Sequence, residues 1–362
     1  MRGIVAAVAV LIAAALLAQE EKDVIILRRA DGTTKRQEVD KIVEETYEKI
    51  KYKIGASWQE EDAENVVDVI RRVDASHDFI EAEEKREKSN FAAAKRRYER
   101  ILKMKHPPNN WEKVYAAFYR AYCTFMMGLS HRSLLKEAVK QYEDFISANP
   151  RHRLTPRALR DKGVAQLMIG DIAGAKATFK RLARGDYGRY WTVIGKFWVG
   201  EIAYRQGATV EAKRLWNQIR MDAVQYGLDH IPAKYELVLA EEALRANRIE
   251  TAIRHFEKVT KYNPQRMEHP IGDEVMAKAH NGLGDCYLSK GGNDKNMLLL
   301  ALVEYIKARD LYAGGGVKEV KRALQGAIEV CKRLEALESD EKKKQEFVSM
   351  RENLQAELAH LK

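Results

Sequence analysis

Cysteine is scarce in this 362-residue chain. Cys123, Cys286 and Cys331 are the only three, far apart and without a CxxC pair. That excludes a disulfide-stapled scaffold and a cysteine-built metal centre. Apolar neighbours in helical sequence make buried thiols the expected state, although export would leave room for one disulfide with a thiol left over. Prolines number only 7 and aromatics make up 8%, while 32% of residues are charged. This composition argues against a sandwich, a many-stranded barrel or a disordered chain, and for a helix-rich fold. HExxH, GxSxG and phosphate-loop motifs are missing, and none of the nine scattered histidines pairs at metal-ligand spacing. We therefore assign no catalytic, cofactor-binding or metal residue, expect no cofactor, and expect no enzymatic activity. There is also no Lys/Arg block free of acids. The 63 basic and 53 acidic residues, net +10, are interspersed, which supports weak affinity for anionic surfaces and no nucleic-acid partner.

Long apolar runs are absent with one exception. "MRGIVAAVAVLIAAALLAQEEKD" sets Arg2 before an apolar run from Gly3 to Ala18, then switches to Gln19, Glu20 and Glu21. The run falls short of the about 20 residues that span a bilayer, so residues 1–18 read as a secretory signal peptide, with cleavage expected after Ala18. An uncleaved membrane anchor is the alternative. No cysteine follows, which argues against lipoprotein anchoring, and loss of Arg2 leaves a mature charge of +9. The expected location is exported, periplasmic or cell-envelope.

Residues 19–74 carry a strand pattern. "DVIILRRADGTTKRQEV" alternates around Val24, Ile25 and Leu27 with Asp31-Gly32 as a hairpin turn, "EETYEKIKYKIG" alternates at Tyr47, Ile50, Tyr52 and Ile54, and "NVVDVIRRV" supplies Val67, Val69 and Val73. Four or five short strands imply a small curled sheet or barrel, unless a helix interrupts residues 40–48.

From Ala75 onward the period is helical, and it repeats. Gly163, Ala175, Phe179 and Leu182 stand at steps of twelve, four and three. Gly200, Ala212, Trp216 and Ile219 repeat those steps, as do Ala240, Ala252, Phe256 and Val259 before Pro264. Ala121, Ala138, Tyr142, Phe145 and Pro150 form a unit with a longer turn, as do Gly284, Ala301, Tyr305 and Ala308. Ala94, Tyr98 and Ile101 before Pro107 keep the second half of an earlier unit. Small residues let two antiparallel helices approach, and a large residue one turn on fills the groove. Gly128, Gly170, Gly207 and Gly291 are expected to end first helices in a left-handed turn. Residues 313–362 read as two further helices, Val317 to about Leu337 and Asp340 to Lys362. The second places Phe347, Met350, Leu354, Leu358 and Leu361 on one stripe, as a polar cap for the array or as a short dimerising coiled coil.

These residues resemble the tetratricopeptide repeat (TPR) family. "ALRANRIETAIRHFEKVTKYNP" is the best single match, while "KEAVKQYEDFISANP" and "LRDKGVAQLMIGDIAGAKATFKRL" look like TPR arrays of bacterial envelope proteins. The strand pattern resembles the small Sm-like barrel that precedes helical repeats in exported bacterial proteins. The implied fold is mainly α, a TPR-type α-solenoid of antiparallel helix pairs over residues 75–312, preceded by a small all-β domain. Units recur every thirty-seven to forty-four residues rather than about 34, which implies longer helices or loops.

The resemblance places ligand-facing positions on the first helix of each pair. Counting from each small residue, these are Tyr115, Phe118 and Tyr122; Arg157 and Arg160; Phe197, Glu201, Tyr204 and Arg205; Lys234 and Glu241; then Lys278, Asn281 and Asp285. Aromatics beside arginines suit a protein or peptide partner bearing carboxylates, unless Tyr115, Phe118, Phe197 and Tyr204 simply pack between helices. "ARGDYGRYWTVIGKFW" reads as either an exposed patch or the filling of a join between units, and "EAEEKREK" as a solvated helix face. The expected function is a protein-interaction scaffold binding in the concave groove. The alternative is a cell-wall or anionic-polysaccharide adaptor using the β-domain, with the solenoid as spacer.

Overall fold

The described residues of the first segment form six strands, the apolar ones centred on Val24, Ile50 and Val69: β1 (Asp23–Arg28), β2 (Thr34–Val39), β3 (Lys41–Glu45), β4 (Lys49–Ile54), β5 (Ser57–Asp62) and β6 (Val66–Ile70). The computed structural model describes residues 22–29, 33–105, 109–264, 267 and 271–361, so the expected signal segment, the Asp31-Gly32 turn and Pro107 lie outside the described residues. The strands form two antiparallel three-stranded sheets, β2-β1-β6 and β3-β4-β5. The chain crosses from one sheet to the other at Asp40, whose carboxylate accepts the Gly55 N–H at 2.5 Å while its own N–H donates to the Lys53 carbonyl at 2.8 Å. No helix interrupts residues 40–48. Ile25, Val39, Ile42, Ile50, Tyr52 and Val69 fill the space between the strands. Six core side chains give a region of this size little independent stability.

Helices follow: α1 (His77–Glu87), α2 (Phe91–Lys103), α3 (Asn110–Ser130), α4 (Leu134–Ala148), α5 (Thr155–Met168), α6 (Ile172–Leu182), α7 (Arg189–Arg205), α8 (Thr209–Gln225), α9 (His230–Arg245), α10 (Ile249–Thr260), α11 (Ile271–Gly291), α12 (Lys295–Asp310), α13 (Val317–Leu337) and α14 (Glu341–His360). The fold is an α-solenoid of antiparallel helix pairs preceded by a small antiparallel β region. Its residues divide into two compact units, the first ending at Ile202 and the second beginning at Ala203, within α7.

In the first unit the pairs are α1–α2, α3–α4 and α5–α6, and each first helix also touches the next first helix, α1 on α3 and α3 on α5. In the second unit α9–α10, α11–α12 and α13–α14 repeat this scheme. The spaced small residues explain the pairing. A Cβ on Gly163 would lie 2.5 Å from the Phe179 ring, and one on Gly284 would lie 2.7 Å from the Tyr305 ring. The same Tyr305 ring also covers Gly326 of the next pair, and Phe256 covers Gly282 of the next pair. Phe179 stacks on Trp198 with ring centroids 5.4 Å apart. Phe179 and Tyr305 are thus each clamped between their own first helix and the following one, with ring packed on backbone surface.

The first repeat is complete: Ala82, fully buried, stands twelve residues before Ala94. Gly170 and Gly207 end their helices with φ of 84° and 81°, as glycine allows. Two of the expected helix-ending glycines are corrected. Gly128 lies inside α3 against Leu135, because that helix runs on to Ser130, and Gly292 rather than Gly291 takes the left-handed turn. The three cysteines are buried free thiols, and burial pushes Cys123 and Cys286 up to about 12 and Cys331 to about 11.

The β region is held on the first unit's helices by a buried ionic cluster. The Glu45 carboxylate, its side chain 7% exposed, takes Arg153 Nε at 2.9 Å, Arg71 Nη1 at 3.0 Å and the Tyr115 hydroxyl at 2.5 Å. Arg71 also reaches Asp23 at 3.4 Å and lies over the Trp111 ring at 4.6 Å. Burial alone would raise the Glu45 pKa; Arg153 and Arg71 outweigh it and hold the carboxyl below its ordinary range. Beside it a one-residue bridge joins Thr46 to His152, and the Tyr47 N–H donates to the Arg151 carbonyl at 3.0 Å.

Candidate functional site

The residues counted along the first helices separate by burial. Tyr115, Phe118 and Phe197 are no more than 1% exposed. The Tyr115 hydroxyl belongs to the Glu45 cluster, and the Phe118 ring packs on Phe145 at 5.5 Å. These three are corrected from groove positions to core, because their side chains point into the helix layer. Glu201 and Lys234 are also buried, at 5% and 4%, which removes their charges from the solvated surface.

In the second unit the remaining positions meet one another. Lys234 Nζ lies 5.3 Å from the Tyr204 ring centroid, and the Tyr204 hydroxyl donates to Glu241 at 2.8 Å. Lys278 pairs with Glu274 at 2.5 Å. Burial would favour the protonated form of Glu274, but Lys278 first, then Lys234 and Arg205, pull its pKa below the usual range. Asn281 Nδ2 donates to the Glu319 carbonyl at 3.0 Å, and Asp285 accepts from Tyr305 at 2.6 Å and pairs with Arg322. Facing helices neutralise each other here, and Arg205 is exposed.

In the first unit Arg157 and Arg160 come together on α5 in a cleft of about 310 Å³. One wall comes from the β region: Arg28 at the end of β1, Tyr47, Glu64 and Asp68. The other comes from Arg153, Arg157 and Arg160, with Tyr190 and Trp191 in the first turn of α7. Pro156 at the start of α5 fits a helix N-terminus, where no N–H donor is required. Arg28 lies over the Tyr190 ring at 4.6 Å. Arg160 pairs with Asp161 at 2.7 Å, whereas Arg157 lies over Phe118 and Tyr122 at 5.4 and 5.6 Å. Glu64 already accepts the Arg189 N–H at 2.8 Å, capping α7. Four arginines thus face two carboxylates beside three aromatic rings, an arrangement suited to holding an anionic group. Counting along first helices reached Arg157 and Arg160 but missed Arg28 and Tyr47, because nothing in the periodicity says which strand end meets which helix. The aromatic stretch from Ala183 divides: Tyr187, Phe197 and Trp198 are buried, while Tyr190 and Trp191 are half-buried in the cleft.

Fold and surface together define the class: a TPR-like α-solenoid carrying a small β region. A tetratricopeptide repeat family matches residues 237–313. No protein of curated function matches the chain. Among solved structures the chain is similar to apo RapI (14% identity, 76% of this chain and 75% of that one, TM-score 0.46). It is similar to BtubC from P. vanneervenii (14%, 63% and 91%, TM-score 0.42). It is also similar to the C-terminal part of a TPR repeat-containing protein from Cytophaga hutchinsonii (18%, 74% and 98%, TM-score 0.41).

Proposed function

We propose that the protein is a non-enzymatic interaction scaffold of the cell envelope that holds an acidic segment of a partner protein on its helical repeats. The observation that carries this reading is the convergence of Arg157 and Arg160 with Tyr190 and Trp191 in one cleft. Planar guanidinium groups beside rigid rings give both charge recognition and apolar area. Crosslinked pull-down from an envelope extract with the intact chain tests it. A partner is expected to be captured, released progressively as salt rises, and lost when Arg157 and Arg160 are both changed to Glu. Capture unaffected by that double reversal contradicts the proposal.

A second reading, adhesion to an anionic wall polymer through the β region, draws on one observation. Trp58 on β5 is 54% exposed with Lys53 Nζ 5.9 Å from its ring, a surface on which a sugar ring can stack. Trp58→Ala in the full chain abolishes wall binding if this reading is right and leaves it unchanged otherwise.

A further inference from the structure

We infer that the anion site is composite: the β region and the repeats each supply one wall of the cleft, and Arg157 is the group presented to an incoming side-chain carboxylate. The inference rests on the proposal that the partner is acidic. It follows from how the cleft's arginines are already used. Arg153 is committed to Glu45 and lies 3.7 Å from Asp68, and Arg160 is committed to Asp161. Arg157 is half-buried and lies over two rings, with no carboxylate partner among the described residues. Aromatic contacts use the faces of a guanidinium and leave its in-plane N–H donors to be satisfied, which a carboxylate does in bidentate fashion. Its place in the first turn of α5 adds the partial positive charge of a helix N-terminus.

The opposite wall is Arg28, lying over Tyr190, so the site exists only where β1 meets α7. At about 310 Å³ the cleft lies at the small end of the range for ligand pockets. It fits one acidic side chain with its neighbouring backbone, hence an extended segment rather than a docked helix. Tyr47 and Trp191 offer apolar surface to the flanking residues, which a bare inorganic anion would not use.

The test uses the intact chain and a fluorescein-labelled peptide of seven glutamates, read by anisotropy at low salt, with inorganic phosphate as competitor. Arg157→Glu and Arg28→Glu are each expected to weaken binding at least about tenfold, the loss of one charged hydrogen-bonding group. Lys332→Glu, at an exposed position in the second unit, should leave it unchanged, and phosphate should compete poorly. Arg157→Gln and Arg28→Gln repeat the measurement if a reversed charge shifts the melting curve. Loss with the Arg157 variants but wild-type affinity with the Arg28 variants overturns the composite cleft while leaving the acidic-partner proposal standing. Loss with Lys332→Glu alone, or displacement by phosphate at equal concentration, overturns the inference as well. Failure of the unmodified protein to bind the peptide defeats the acidic-partner proposal and this inference with it.

Discussion

At the residue scale, the fold depends on where a methyl group has no room. Gly163 faces the Phe179 ring, so Gly163→Ala sets two effects against each other: alanine raises helix propensity by about 1 kcal/mol, while overpacking a filled core costs roughly 1–3 kcal/mol. With the added Cβ 2.5 Å from a ring stacked on Trp198, the second effect wins. Denaturant unfolding of Gly163→Ala should show lower stability, whereas Gly170→Ala meets nothing within 4 Å and suffers through its φ of 84° instead. These small-to-large steps were legible in the sequence because they recur. Ala82 was not, since it sits within the charged run "EAEEKREK", which hides its apolar period; within α1, burial is confined to Ala82 and the preceding Phe79.

His152 carries a second residue-scale consequence. Burial is the main cause that lowers its pKa to about 4, and the neighbouring Arg153 and Arg71 add to it against the opposing pull of Glu45. A histidine starts near 6.5 when unfolded, so between pH 6.5 and 4 the unfolded chain binds the extra proton and stability falls as pH falls, by roughly 3 kcal/mol across that window. The groups facing it are Glu45 on β3, Arg71 after β6, Tyr115 on α3 and the adjacent Arg153. Glu45, with its pKa lowered, contributes stability above the ordinary carboxylate range and loses it only at lower pH. Since the Leu154 N–H donates to His152 Nδ1 at 3.2 Å, His152→Asn keeps an acceptor. Melting curves of that variant are expected to show a flatter profile between pH 6.5 and 4; an unchanged slope would exclude His152 as its source.

At the element scale, the helices and their antiparallel pairing were readable, and the seat of the strands on them was not. The 3.6-residue period marks each helix, with ends fixed by Gly170, Gly207 and Pro150. The strand count rose from four or five to six because β5, SWQEED, carries no apolar alternation and β2 and β3 meet at Asp40 without a glycine or proline to mark the turn. The docking of β3 on the loop before α5 could not be read at all. Glu45, Arg71, Tyr115 and Arg153 look like surface residues one at a time, and only the fold brings Glu45 to Arg153, 108 residues away. Removing one member of a buried ion cluster leaves the others uncompensated, at a cost of roughly 3–5 kcal/mol. Glu45→Ala should therefore lower the first unit's unfolding midpoint while sparing the second. Tryptophan fluorescence separates them, because Trp58, Trp111, Trp191 and Trp198 report on the first unit and Trp216 on the second. A uniform shift of both would contradict an element-level role for Glu45.

At the scale of the whole molecule, the two units treat the same repeat positions differently. In the second unit, Tyr204, Lys234, Glu241 and Lys278 are occupied by one another or by neighbouring acids. In the first, Arg157 and Arg160 face a cleft that a strand domain helps to build. Sequence spacing gave all of these residues equal standing, since it counts along helices and carries no information on which side chains satisfy each other across them. Export is a further proposal at this scale. The mature protein should begin at Gln19, and N-terminal sequencing of the envelope fraction checks it; an intact Met1 in a membrane pellet would favour an anchor instead.

The most direct measurement of the central claim is photocrosslinking in intact cells, with p-benzoylphenylalanine in place of Trp191 at the mouth of the cleft. The account predicts a covalent adduct to a partner protein through a segment rich in Asp and Glu, and its disappearance when Arg157→Glu is combined with the probe. An adduct that persists with the arginine reversed, or one formed through a segment without acidic residues, would contradict it.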